Sequence, residues 1–184
     1  MKRVAVDLDS TVFDFTGFAV RWMSQNFNIE PVDIGAYDIT DIFGISKEQA
    51  KRIAPWLFEA YRKNASMYPG AYDELLKLKQ QGRLCFATSR KDDICAETKE
   101  RLAGFGLDDI PIAFSNGSPN KNDLLRELGA DILVDDYPDT IYAAAQDDFE
   151  VVKFWHPYNA TVNPRNMFCA KTWEQIGIIL AALR

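Results

Sequence analysis

Short, mostly apolar runs recur at positions 3–6, 83–87, 111–114, 131–134 and 150–155, the first of them ending in acidic residues. Runs of this length and punctuation predict buried strands. Between them, stretches at 70–80, 92–103, 121–128 and 139–145 are bounded by Gly, Pro, Asn or Asp and predict helices. Residues 161–167 read as irregular chain before a last helix that starts at Thr172. Strands alternating with helices imply an α/β fold whose largely parallel sheet is covered by helices. Ligands of such sheets bind beyond the carboxyl ends of the strands.

One stretch breaks the alternation. Between Phe13 and Tyr68 no strand is predicted, while helical patterns cover 15–27 and 46–63. The predicted division is therefore an α/β core at 1–13 and 69–184, with a helical insert at 14–68. Phe15, Phe18, Trp22, Phe27, Trp56, Phe58 and Tyr61 make this insert the most aromatic part of the chain. A small helical unit needs large side chains to build a core of its own, and one or two of these rings can instead face a ligand.

Composition removes several classes. A chain of 184 residues that is 47% hydrophobic and 26% charged has enough apolar material for one ordinary core. Its net charge of -6 disfavours a nucleic-acid polymer or an anionic membrane as partner. The longest apolar runs fall short of a bilayer span, and Met-Lys-Arg leads directly into the first strand with no signal-peptide pattern. Cys85, Cys95 and Cys169 form no C-x-x-C pair, which speaks against a disulfide framework or a zinc site. A cytoplasmic protein is expected.

Four small motifs fall at the ends of predicted strands. In Asp7-Leu8-Asp9 the two acids, two apart on an extended segment, point the same way. Their repulsion is relieved by a hard cation such as Mg²⁺ or by a proton on one of them. One can attack an electrophile while the other hands a proton to the leaving group. A solvated acidic turn is the alternative. Thr88 and Ser89 can donate to phosphate oxygens or cap the following helix, and Arg90 can bind an anion or pair with a carboxylate. Lys121 can stabilise a transferring phosphoryl group or sit on the surface. Asp135 and Asp136 can complete a metal site, or Asp136 can cap a helix.

The ordered set of Asp-x-Asp, strand-Thr, Lys and strand-Asp-Asp resembles the haloacid dehalogenase superfamily, along the whole chain apart from the insert. The resemblance implies that Asp7 is the nucleophile that becomes an aspartyl phosphate and that Asp9 is the general acid and base. Thr88, Ser89 and Lys121 would hold phosphoryl oxygens. Mg²⁺ would be bound by Asp7, the backbone carbonyl of Asp9 and Asp136, with Asp135 behind them, and Thr11 would help close the loop. The second Asp of the first motif is similar to the phosphatases and phosphomutases of the superfamily, not its dehalogenases. The insert takes the place of the family's cap.

A narrower resemblance is to the 5'(3')-deoxyribonucleotidases. Asp7-Leu8-Asp9-Ser10-Thr11-Val12-Phe13-Asp14-Phe15 resembles their D-x-D-G-V-L-x-D-F opening, with Ser10 and Thr11 in place of Gly and Val. Tyr68-Pro69-Gly70-Ala71, Ala87-Thr88-Ser89 and the segment from Phe154 to Asn159 resemble further stretches of that family, although Arg90 departs from its usual Pro. This resemblance implies a nucleoside monophosphate substrate, with Phe15, Trp56 and Arg90 in the substrate pocket. Homodimerisation, common in the family, rests on the resemblance alone. Other readings are a phosphatase for a different small phosphate ester, a receiver-like domain, or a phosphate-binding protein without catalysis. A receiver carries its acceptor Asp on a middle strand and does not account for the aromatic insert. His156, the only histidine, lies outside the four motifs and is assigned no proton transfer.

Overall fold

All three residues of strand β1 (Val4–Val6) are fully buried, as expected of a strand covered on both faces. Helices α1 (Phe15–Phe27), α2 (Ile39–Phe43) and α3 (Lys47–Asn64) follow, and the chain returns through α4 (Ala71–Gln80) to β2 (Leu84–Thr88). A 3-10 turn at Asp92–Ile94 leads into α5 (Cys95–Ala103), β3 (Ile112–Phe114), α6 (Asn122–Glu127), β4 (Ile132–Asp135) and α7 (Pro138–Gln146). The chain ends with β5 (Glu150–Phe154), a 3-10 turn at Pro157–Asn159, β6 (Met167–Ala170) and α8 (Trp173–Ala182). The computed structural model describes residues 1–183.

The strands form one parallel sheet in the order β3-β2-β1-β4-β5-β6. The chain runs outward from β1 to β3 on one side, then crosses back to β4 and outward to β6 on the other. Strands β1 and β4 are thus neighbours at the point where the winding reverses, and a crevice opens beyond their carboxyl ends. Ala5 lies opposite both Cys85 and Leu133. Alternate residues face opposite sides. Val4, Val6, Phe86 and Val134 pack on one face, while Ala5, Cys85, Ala87 and Leu133 pack on the other against Leu125, Ile141 and Ala144.

The helical segment after β1 begins and ends at one place. Asp14 N–H donates to the Ser66 carbonyl at 3.0 Å, and Tyr68 N–H to the Val12 carbonyl at 2.9 Å, on either side of a Phe13–Met67 bridge. Helix α1 starts there because the Asp14 carboxylate accepts the Gly17 N–H at 2.8 Å. A Cβ on Gly17 would sit 2.0 Å from that carboxylate, so a larger residue there would make the Asp14 side chain shift. Helix α3 opens with a capping box between Ser46 and Gln49. The segment does not build a core of its own: Ala19, Met23, Ile42 and Leu57 join the cluster that contains Val4 and Phe86.

Two elements lie outside the sequence expectation. Strand β6 starts at the last residue of the stretch read as irregular and runs through residues given no element, because Phe168 and Cys169 on this outermost strand are exposed and leave no buried apolar run to detect. Helix α2 has five residues between its Asp38 cap and left-handed Gly44, too few for a period to show. No helix among the described residues is long and apolar enough to cross a membrane.

Adjacent residues of α3 should differ sharply in stability. Leu57 is fully buried and Trp56 is 60% exposed. Leu57→Ala should cost about 2–5 kcal/mol in urea unfolding, and Trp56→Ala less than about 1 kcal/mol. Equal losses would contradict the packing described.

Candidate active site

The crevice at the β1–β4 edge is a cavity of about 720 Å³, within the range of small-molecule sites. Its floor is made by strand ends. Asp7 follows β1, Asp135 closes β4 and Asp136 comes next, and the carboxylates of these three buried residues approach within 4.8 Å of one another. Lys121, at the start of α6, reaches across to donate to Asp7 Oδ1 at 2.5 Å and Asp135 Oδ2 at 2.9 Å. Asp135 Oδ1 accepts the Tyr137 N–H at 2.8 Å. Asp136 accepts from the Thr11 hydroxyl at 2.7 Å and the Tyr158 phenol at 2.5 Å.

Three buried carboxylates therefore lie beside one ammonium, which donates to two of them. Burial pushes the Asp7 carboxyl well above its usual range against the pull of Lys121, and Asp135, Asp136 and Asp9 push the same way. Burial, with Asp135 next to it, raises Asp136 to about 7. Burial alone would lower the Lys121 ammonium, but Asp135 and Asp7 raise it well above normal, so it stays charged. An all-oxygen, buried set with surplus negative charge fits a hard divalent cation.

Asp9 stands apart from this cluster. Its side chain, 38% exposed, is gripped by Arg90, with Nε on Oδ2 at 3.0 Å and Nη2 on Oδ1 at 2.7 Å. Burial would raise its pKa, and the Arg90 guanidinium overrides that and holds it below the ordinary carboxylate range. The next residue, Ser10, has a left-handed backbone with φ of 63°, a conformation that suits the Gly of the resembled motif. Three distant side chains tie this loop down. Besides Thr11 on Asp136, the Trp173 indole donates to the Thr11 carbonyl at 2.9 Å, and His156 Nε2 donates to the Ser10 carbonyl at 2.9 Å. His156 thus serves as a half-buried strut, its imidazole pKa lowered by the burial of its ring.

Of the residues singled out in the sequence, Asp7, Asp9, Lys121, Asp135 and Asp136 meet at the cavity floor, with Ser89 and Arg90 at one side and Phe15 above. Thr88 is fully buried at the end of β2, and its Oγ1 accepts the Arg90 N–H at 3.3 Å, so the cavity wall there is Ser89. Thr88 thus does not line the cavity, as a residue expected to hold phosphoryl oxygens would, and a second expectation needs correction too. Trp56 does not line the cavity; it lies parallel to Phe27, with ring centres 6.5 Å apart. Ala54 and Phe58 do face the cavity, and a residue two positions from each is turned about 200° away on a helix. Arg90 does line it, as expected, with its guanidinium on Asp9 and Thr98. Neither Asp136 nor the Thr88-Ser89 pair caps a helix with its side chain.

The sequence reading gave no site role to Tyr158, Asn159 or Tyr37, and it did not single out Phe58 and Tyr61 from the other aromatics of the insert. Asn159 donates to the Asp136 and Phe154 carbonyls at 2.7 and 2.9 Å and fixes the turn that delivers Tyr158. Phe58 and Tyr61 were findable as the α3 positions in step with Ala50 and Ala54. Tyr37 sits in a loop, packed on Tyr137 and Tyr158 at 4.9 and 5.1 Å between ring centres, and no local pattern marks it.

No protein-family model and no curated protein matches the sequence; solved structures do. A HAD-family hydrolase from Deinococcus radiodurans with bound phosphate and sodium superposes with a TM-score of 0.69 at 13% identity, over 99% of this chain and 96% of its own. The fold is that of the haloacid dehalogenase superfamily. A haloacid dehalogenase-like protein from Agrobacterium tumefaciens gives a TM-score of 0.70 at 11% identity, over 100% of this chain and 99% of its own. A candidate β-phosphoglucomutase from Thermotoga maritima gives 0.66 at 17% identity, over the full length of both chains.

The charge surplus generates a pH prediction. Asp136, raised to about 7, holds a proton below that pH that a cation must displace, and above it the carboxylate is free. Mg²⁺ affinity measured by calorimetry should therefore rise with pH between about 6 and 8, by up to about tenfold per unit for each proton released. Asp136→Asn should remove most of the binding. A pH-independent affinity would contradict the assignment.

Proposed function

We propose that the protein is a Mg²⁺-dependent phosphomonoester hydrolase that works through an aspartyl phosphate on Asp7. The observation that carries this reading is the division of the two acids. Asp7 lies in a buried carboxylate cluster with Lys121 on one oxygen, whereas Asp9 lies outside it, exposed to the cavity and held by Arg90. In this reading the first acid takes the phosphoryl group beside charge that can neutralise it, and the second moves the proton.

The residues divide the reaction as follows. An Asp7 carboxylate oxygen attacks phosphorus while the ester P–O bond breaks, and Asp9 gives its proton to the departing oxygen. The phosphate dianion in the cavity favours the protonated form of Asp9 at this stage. Asp9, left as a carboxylate, then takes a proton from water. The water oxygen attacks phosphorus, the bond to Asp7 breaks, and phosphate leaves. Lys121 balances the charge on the phosphoryl oxygens, and Ser89 offers a further donor at the wall. Asp7 and Asp136, with Asp135 behind them, would hold Mg²⁺, whose charge offsets that of the carboxylates and phosphate when it is bound. Thr11 and Tyr158 keep Asp136 in place.

The roof points to the substrate class. Phe15, Ile39, Ala54, Phe58 and Tyr61 line it, and Phe58 is 40% exposed. Phe15 and Phe58 stack on each other with centres 5.5 Å apart, which leaves one aromatic surface for a flat, partly apolar leaving group. A nucleoside has that character, so we assign the substrate as a nucleoside monophosphate. The name of the Thermotoga protein supports a sugar phosphate as the second reading.

Phosphate release with Mg²⁺ from ribo- and deoxynucleoside monophosphates should exceed release from sugar phosphates, and Asp7→Asn should release none. Phe58→Ala should raise KM for nucleotides by about tenfold. Turnover confined to sugar phosphates would retain the hydrolase and overturn the nucleotidase.

A further inference from the structure

The guanidinium of Arg90 is engaged on three sides. Nε and Nη2 grip both oxygens of Asp9 at 3.0 and 2.7 Å, and Nη1 donates to Thr98 Oγ1 at 3.1 Å. Arg90 is 7% exposed and Thr98 1%, and the guanidinium carbon lies 6.0 Å from the centre of the Phe13 ring. The parallel donors with which an arginine grips a phosphate thus grip a protein carboxylate. A fork that engages both oxygens fixes the plane of the Asp9 carboxylate, to which the Tyr61 phenol adds a further hydrogen bond, while the side chain stays partly exposed to the cavity. Without it, Asp9 would hang from a loop whose next residue is already in a left-handed conformation.

Thr98 gives this fork a rigid base. It lies in α5, which is joined to α3 by an ion pair between Arg62 and Glu97 at 3.2 Å and by the Arg101 guanidinium on the Ala65 carbonyl at 2.6 Å. We propose that Arg90 is a positioning residue, set by Thr98, that aims the Asp9 carboxyl at the oxygen of the leaving group. The proposal rests on the reading of Asp9 as the proton donor in phosphoester cleavage.

The leaving group supplies the test. When an alkyl ester is cleaved, the P–O bond breaks as the Asp9 proton passes to an oxygen that would otherwise leave as a strongly basic alkoxide. The p-nitrophenolate ion is stable without that proton, so a misaimed Asp9 penalises the alkyl ester selectively. Arg90→Lys keeps the charge and loses the fork, and Thr98→Val keeps the shape and loses only the hydroxyl.

Steady-state kcat and KM would be measured with saturating Mg²⁺ for the wild type, Arg90→Lys and Thr98→Val. Deoxyuridine 5'-monophosphate and ribose 5-phosphate serve as alkyl esters beside p-nitrophenyl phosphate, and thermal unfolding checks that each variant is folded. The expected result is a fall of about tenfold or more in the ratio of alkyl to aryl kcat in both variants, with KM changed less than about twofold. Equal losses on all esters would reduce Arg90 to a structural role, and a large rise in KM with kcat retained would make it a substrate-binding residue; either overturns the proposal. A wild type that releases phosphate from no ester overturns the hydrolase reading underneath it.

Discussion

The confinement of three carboxylates and one lysine at the edge shared by β1 and β4 is the constraint around which the structure is arranged. Asp7, Asp135 and Asp136 are buried within 4.8 Å of one another, and such a group is tolerable in a dry site only if every lone pair finds a donor or a cation. The fold supplies donors from all along the chain: Lys121 from the start of α6, Thr11 from the loop after β1, the Tyr137 backbone, and Tyr158 after β5. The parallel order β3-β2-β1-β4-β5-β6 makes this convergence possible, because the reversal at β1 and β4 brings residues more than a hundred positions apart to one edge.

The same constraint explains why the loop after β1 is tied so firmly. Ser10 occupies a left-handed conformation, and a non-glycine residue there carries strain that its surroundings must hold in place. Asp136, His156 and Trp173 each hold a backbone or side-chain atom of Ser10 or Thr11. The helical segment 14–68 sits above this loop, fastened where Asp14 and Tyr68 pair with Ser66 and Val12, and its cluster is continuous with that of the sheet. Packing of α1 and α3 thereby decides which side chains roof the cavity.

Much of the arrangement was legible in the sequence because the signals were local. The five apolar runs became β1 to β5, and the polar residues at the ends of β1, β2 and β4 and at the start of α6 became the floor and walls of the cavity. What was not legible depended on tertiary direction. Trp56 and Phe58 are both aromatic and two residues apart, and only the rotation of α3 sends Phe58 to the cavity and Trp56 to solvent. Arg90 offered two readings, and the choice was made by Asp9, 81 positions away. Strand β6 lacked a buried run because it lies at the edge. Tyr158 and Asn159 belong to a turn that reaches Asp136 only once the chain has folded back on β4.

The central claim is that Asp7 carries the phosphoryl group between the two halves of the reaction. The most direct measurement is mass spectrometry of the wild type quenched in acid during turnover of a phosphomonoester with Mg²⁺, followed by digestion and sequencing of the modified peptide. The account predicts one phosphoryl group on Asp7, absent when the ester is omitted and absent in Asp7→Asn. Steady turnover with no adduct on Asp7, and with Asp7→Asn still active, would contradict it.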